Sequence, residues 1–224
     1  MATQLAIILL SLRVALLATL LLIPLGTFLG WLLARKQFFG KMLLDGLINI
    51  PLVLPPVVTG YFLLVVLGPN GAIGHVLHKL GIQLAFTWYG AVVAAAVVSL
   101  PLLVRSVRVT IDSVDSKLEE AARTLRASEA KIFLRITLPL AANGVLAGAI
   151  LAFARALGEF GATIVFASNI QGETQTIPLA IFSYLNQVDG EAKAKVLVLV
   201  AILIAYASII INELLLRRLR RAES

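Results

Sequence analysis

Arg155 and Glu159 lie four residues apart within a long apolar run, and at that spacing they share one face of a helix and can pair. Pairing lowers the cost of holding each charge inside a membrane. Two roles fit them: a structural ion pair that fixes helix packing, or a place in the lining or gate of a path for an anion. Arg155 would tolerate an anion nearby, although tight binding there would slow release. Gly158 and Gly161 flank the acid and permit close approach or bending. Covalent chemistry has few candidates. The chain has no cysteine, hence no thiolate nucleophile, disulfide framework or thiolate metal site. His75 and His78, three apart without acidic companions, read as surface residues. No Gly-x-x-x-x-Gly-Lys-Ser/Thr phosphate loop occurs, and Gly40-Lys41-Met42 is no substitute, so any nucleotide-driven work needs an ATPase on another chain. The chain is read as no enzyme itself.

A second group of residues is suited to docking. Glu120-Ala121-Ala122-Arg123-Thr124-Leu125 runs on through Arg126 to Ile136-Thr137-Leu138-Pro139, a charged island in a chain that is 60% hydrophobic. Residues 116–133 are rich in helix formers, and Leu118, Ala121, Ala122 and Leu125 recur at three- and four-residue spacing. That pattern predicts a short amphipathic helix whose apolar face needs either a protein partner or the membrane surface. Pro139 is expected to end the segment and start the next span.

The elements that position these residues are membrane spans. Mean hydropathy is +0.98 and only 14% of residues are charged, more apolar side chain than a soluble domain of this size buries. Apolar runs of the length a bilayer core of about 30 Å demands occupy 14–33, 43–67, 86–104, 141–166 and 196–216. An all-α polytopic membrane protein follows, one domain over 1–224 with about five transmembrane helices and a polar loop over about 112–138. The first run lacks a basic start and a small-residue cleavage site, and is expected to be a retained span. The net charge of +7 is scattered through short gaps and forms no stripe for nucleic acid. Arg35, Lys36 and Lys41, then Arg105 to Arg135, then Arg217, Arg218, Arg220 and Arg221 follow the odd-numbered spans, which puts the N-terminus outside and the C-terminus in the cytoplasm. Arg13, near the outer end of the first span, is expected to snorkel to the headgroups.

In the second span Pro51, Pro55 and Pro56 remove three backbone donors, so it should kink or break near mid-membrane. The break reads as a packing kink, as a wall of a translocation path containing Pro55, Pro56 and Thr59, or as both. Gly26 with Gly30 and Gly144 with Gly148 read first as helix packing and second as a dimer seam. The outer stretch 168–195 is polar and reads as a solvated connection.

Glu120, Ala121 and Ala122, then Arg126, then Ile136, Leu138 and Pro139 resemble the cytoplasmic signature of permease subunits of binding-protein-dependent ABC importers. The resemblance implies a MetI-like ABC permease fold in which this segment is the coupling helix. Glu120 would contact the ATPase, Ala121 and Ala122 would allow close packing, and Leu125 would fill the ATPase groove. Arg126 stands where that family usually has Gly. A left-handed backbone there costs a non-glycine residue on the order of 1 kcal/mol, so either the turn differs or coupling is weaker.

Pro51-Leu52-Val53-Leu54-Pro55-Pro56-Val57-Val58-Thr59-Gly60, Arg155-Ala156-Leu157-Gly158-Glu159-Phe160-Gly161-Ala162-Thr163 and Ser168-Asn169-Ile170-Gln171-Gly172-Glu173-Thr174 are similar to permeases of molybdate importers. Those of sulfate and tungstate share much of the pattern, the sulfate ones with an extra span. The resemblance implies a homodimer in the cell inner membrane that alternates access for an oxyanion, molybdate first and tungstate or sulfate as alternatives. It also implies two ATPase subunits that use ATP and Mg, a periplasmic or surface-tethered molybdate-binding protein met by Gln171, Gly172, Glu173 and Thr174, and no cofactor on this chain. An ion-coupled carrier or channel, the reading from another class, would need more titratable groups in the membrane than Arg155 and Glu159.

Overall fold

The computed structural model describes the backbone of residues 2–222 and the side chains of 4–211, 213 and 214. Uninterrupted Leu, Ile, Val and Ala make long helices where no proline cluster intervenes. These are α1 (Ala2–Arg35), α5 (Trp88–Ser113) and α12 (Glu191–Ala222). At 1.5 Å per residue the 26 residues of α5 exceed a bilayer core of about 30 Å. Gln4–Arg35, Trp88–Ser113 and Glu191–Ile211 are each long and apolar enough to cross a membrane.

The two other expected spans are discontinuous. The 43–67 run divides into α2 (Lys41–Val53) and α3 (Pro56–Leu67), separated by extended backbone at Leu54 and Pro55. Pro56 takes the first position of α3, where its missing N–H is harmless. The 141–166 run, expected as one helix, is also broken. It gives α9 (Ala142–Leu157) and the six-residue α10 (Gly161–Phe166), with Gly158, Glu159 and Phe160 between them. Connecting segments add α4 (Gly74–Lys79), α6 (Ser116–Thr124), α7 (Glu129–Ile132), α8 (Leu138–Leu140) and α11 (Ile177–Leu185). A π-helical turn, Phe133–Thr137, joins α7 to α8, and the 129–140 segment meets α9 at a 70° bend. The bend falls at Ala141, two residues past Pro139, which lies inside α8.

The core forms where α5 runs between α1 and α9, with Val14, Ala18, Val92, Ala95 and Ala156 in one cluster and Leu22, Leu103, Val107 and Ala152 in another. The two glycine pairs set this spacing: a Cβ on Gly26 would collide with Leu103, and one on Gly148 would lie 2.9 Å from the Ser106 Cβ. Both pairs therefore face α5 of the same chain, which corrects the dimer-seam reading. Arg13 does not extend toward headgroups alone; its guanidinium lies 3.9 Å from the Trp88 ring centroid, stacked at the start of α5. The 168–195 stretch is more than a solvated connection, because the apolar helix α11 buries Ile177, Ala180 and Tyr184 against Ile7 and Leu197.

The candidate coupling segment and the paired membrane breaks

The 116–133 segment is two helices and not one. Asp115 caps α6, its side chain accepting from the Lys117 N–H at 3.0 Å. The helix stops at Leu125, and Arg126 adopts φ +58°. The Arg126 N–H donates to the Arg123 carbonyl at 2.9 Å and the Ala127 N–H to the Ala122 carbonyl at 3.1 Å. Those two bonds define a Schellman motif with Arg126 at its left-handed position, which explains why a glycine suits the site.

The apolar side chains of α6 are not covered by the rest of the described residues. Glu120 and Ala121 are exposed, Ala122 is half-buried, and Leu118 and Leu125 face outward, Leu125 at 84% exposure. The one buried residue of α6 is Glu119, 2% exposed, which the sequence pattern did not single out. Its Oε1 accepts from Arg35 Nε at 3.1 Å and from Thr137 Oγ1 at 2.7 Å, and Arg123 Nη2 lies 3.7 Å from Oε2. Arg35 also donates through Nη2 to the Val114 carbonyl at 2.8 Å. The i,i+4 relation of Glu119 to Arg123 was the available sequence signal. A second, exposed tie runs from Lys36 Nζ to Glu129 Oε2 at 2.9 Å and from Arg123 Nε to Glu129 Oε1 at 2.7 Å. Hydrogen bonds from Arg123 first and Lys36 second hold the Glu129 carboxyl down at about 2, and the same Glu129 bond raises Arg123.

Inside the spans the structure brings the two broken runs together. Helix α3 packs on α10, and a Cβ on Gly161 would lie 2.8 Å from the Pro56 Cβ. Gly60 approaches α10 as closely, since its Cβ would lie 2.8 Å from the Ala162 Cα. Glu159, 3% exposed, accepts from the Ala162 N–H at 2.8 Å and thereby caps the start of α10. Its other oxygen is 2.6 Å from Arg155 Nη1. Pro56, Glu159 and Gly161 thus meet at one junction, with Arg155 and the exposed Gly158 beside it. Thr59 is buried one turn along α3 with no partner for its hydroxyl among the described residues, while Pro55 is exposed.

Beyond α10, Gln171, Gly172 and Glu173 are exposed in a turn with Gly172 at φ +83°. Thr174 departs from the expected contact surface: it is fully buried, accepting from the Ile170 N–H at 2.9 Å and donating to the Ser168 carbonyl at 3.1 Å. Its hydroxyl closes the loop. His75 and His78 are exposed on α4, and no group of three potential metal ligands occurs among the described residues.

The chain is similar in sequence and in fold to known proteins. The chain is 52% identical over 213 residues to the molybdenum transport system permease protein ModB of Haemophilus influenzae, covering 95% of this chain and 93% of that protein. It is 53% identical over 211 residues to the protein of the same name from Escherichia coli K12, covering 94% and 92%. In fold it is like a chain of a bacterial ABC transporter involved in import of the acidic polysaccharide alginate, with TM-score 0.72 over 99% of this chain and 80% of that one at 16% identity. Residues 23–221 match the family model described as the binding-protein-dependent transport system inner membrane component, and the chain belongs to that family of transport permeases.

Proposed function

We propose that this permease carries molybdate across the cell inner membrane and is driven by ATPase subunits that dock on residues 118–126. The single observation that carries the docking is the outward presentation of Glu120, Ala121 and Leu125 on a helix whose inward face is already satisfied by Glu119. An apolar side chain as exposed as Leu125 beside a charged Glu120 suits a groove on a protein partner. Two copies of the chain would form the path, two ATPases would use ATP and Mg beneath them, and an extracytoplasmic molybdate-binding protein would meet Gln171, Gly172 and Glu173. This chain would hold no cofactor of its own. The cargo assignment rests on the relatives that carry the molybdenum name. The bias of Lys and Arg supports an N-terminus outside and a coupling segment and C-terminus in the cytoplasm. In that bias, the side chains of Arg217, Arg218, Arg220 and Arg221 lie outside the described residues.

The path is assigned to the junction of the two breaks, with Pro55, Pro56, Thr59, Gly158 and Gly161 as its wall, because interrupted helices place backbone carbonyls beside a cavity. Arg155 and Glu159 hold that junction: one Glu159 oxygen accepts from the Ala162 N–H and the other lies at ion-pair distance from Arg155. The test is uptake of labelled molybdate by cells with and without the gene, under excess sulfate or excess tungstate, alongside Glu120→Lys. Uptake lost on deletion, resistant to sulfate and lost in Glu120→Lys with the permease still folded is the expected result. Sulfate-sensitive uptake would reassign the cargo to sulfate, stronger competition by tungstate would reassign it to tungstate, and normal uptake by Glu120→Lys would remove the docking role.

A further inference from the structure

Helix α6 is held to the rest of the chain by a buried carboxylate and not by an apolar face. Glu119 is its one buried residue, and a single oxygen of that side chain accepts from Arg35 on α1 and from Thr137 at the end of the π-helical turn. Thr137 is fully buried, and Arg35 reaches on to the Val114 carbonyl just past the end of α5. Glu119 on α6 thus joins the C-terminal end of α1 to the turn that leads through the 70° bend into α9, and Arg35 extends the joint to the end of α5.

The physical character of this joint matters. An apolar contact is non-directional and lets a helix roll or slide, whereas charge-assisted hydrogen bonds fix both distance and angle and strengthen in a dry setting. The parallel tie through Lys36, Glu129 and Arg123 is exposed and screened by salt. The rigid link is thus the Glu119 one.

We propose that Glu119 is the positioning residue for energy coupling: through Arg35 and Thr137 it locks the partner-facing helix α6 to α1 and to the entry of α9, so that a displacement of α6 moves those helices as one body. This rests on the docking role proposed above, and it adds a residue outside the docking surface on which coupling depends. Glu119→Gln keeps an acceptor for Arg35 and Thr137 but removes the charge, so the joint loosens while the surface formed by Glu120 and Leu125 remains.

The test uses the complete importer, permease with its ATPase and binding protein, in proteoliposomes. Molybdate imported per ATP hydrolysed should fall about fivefold or more in Glu119→Gln, the scale of an ordinary coupling free energy, while the ATPase still co-purifies. Exchanging the charges, Arg35→Glu with Glu119→Arg, should restore part of the ratio. A purely structural role would lower the yield of complex and leave the ratio unchanged, and that result overturns the proposal. A second readout does not depend on cargo. Because the chain has no cysteine, spin labels on Lys117→Cys in α6 and Phe39→Cys beyond α1 report the joint directly. The distance distribution should be narrow with Glu119 and broad with Glu119→Gln; equal widths would overturn the inference. No molybdate uptake by the wild-type complex would instead defeat the functional reading, and the spin-label result would still decide the joint.

Discussion

Gly161 and Pro56 meet so closely that the first residue of α10 has no room for a side chain: its Cβ would sit 2.8 Å from the proline Cβ and 3.1 Å from the Val57 nitrogen. The neighbours are a ring and a backbone, neither of which can turn aside. Gly161→Ala is therefore expected to push the two broken spans apart and destabilise the permease by about 1–3 kcal/mol, the range for overpacking. Thermal unfolding of the detergent-purified permease measures it. An unchanged midpoint would mean that the breaks are not in contact.

Glu159 is nine-tenths buried or more and has two duties, capping α10 and neutralising Arg155. Arg155→Met strands a buried carboxylate and should cost about 3–5 kcal/mol. Glu159→Gln can still accept from the Ala162 N–H, and in the Arg155→Met background it removes the stranded charge. The double variant is thus expected to be more stable than Arg155→Met alone. A double-mutant cycle on thermal unfolding checks the order, and strict additivity would contradict the pairing.

What was legible in the sequence is what depends on near neighbours. Three prolines within seven residues announce a break, Arg155 and Glu159 pair at one helical turn, and Arg126 at a glycine position announces a left-handed residue. The second break was half legible: Gly158 and Gly161 suggested bending, but nothing local shows that Glu159 would cap a new helix or that Pro56 would lie against it. The inward turn of Glu119 was not legible, because its partner Arg35 is 84 residues away in sequence. Period alone marked Leu118 and Leu125 as a face in need of a partner, and both are exposed; it gave no sign that a charged residue, Glu119, would hold the helix from its inner side. Thr174 misled for the same reason, its polarity spent on the carbonyl of Ser168 and the amide of Ile170.

Arg126 carries strain that a single substitution removes. With φ at +58° and both Schellman bonds formed, Arg126→Gly relieves the left-handed penalty without altering the turn. The gain of about 1 kcal/mol should appear as about fivefold slower hydrogen exchange at the amides of residues 126 and 127. Exchange no slower than in the parent chain would show that the backbone there is not strained. If the strain also weakens coupling, molybdate imported per ATP will rise in the same variant, and an unchanged ratio would remove that link.

Glu129 supplies a pH signature for the outer tie. Its carboxyl ordinarily titrates near 4.5 and is held to about 2 by Arg123 and Lys36. A carboxylate whose pKa is depressed on folding adds stability that is fully present above its unfolded value and is lost as pH falls through the folded one. The tie between α1 and the coupling segment should therefore hold above about pH 4.5 and weaken progressively as pH falls toward about 2. Because the groups are exposed, added salt should shrink the effect. A carboxyl carbon titration of Glu129 by NMR in detergent micelles reads the midpoint directly. A midpoint near 2 that moves upward in Lys36→Met is the expected outcome, and one that stays near 4.5 would show that the Arg123 and Lys36 bonds do not persist in solution.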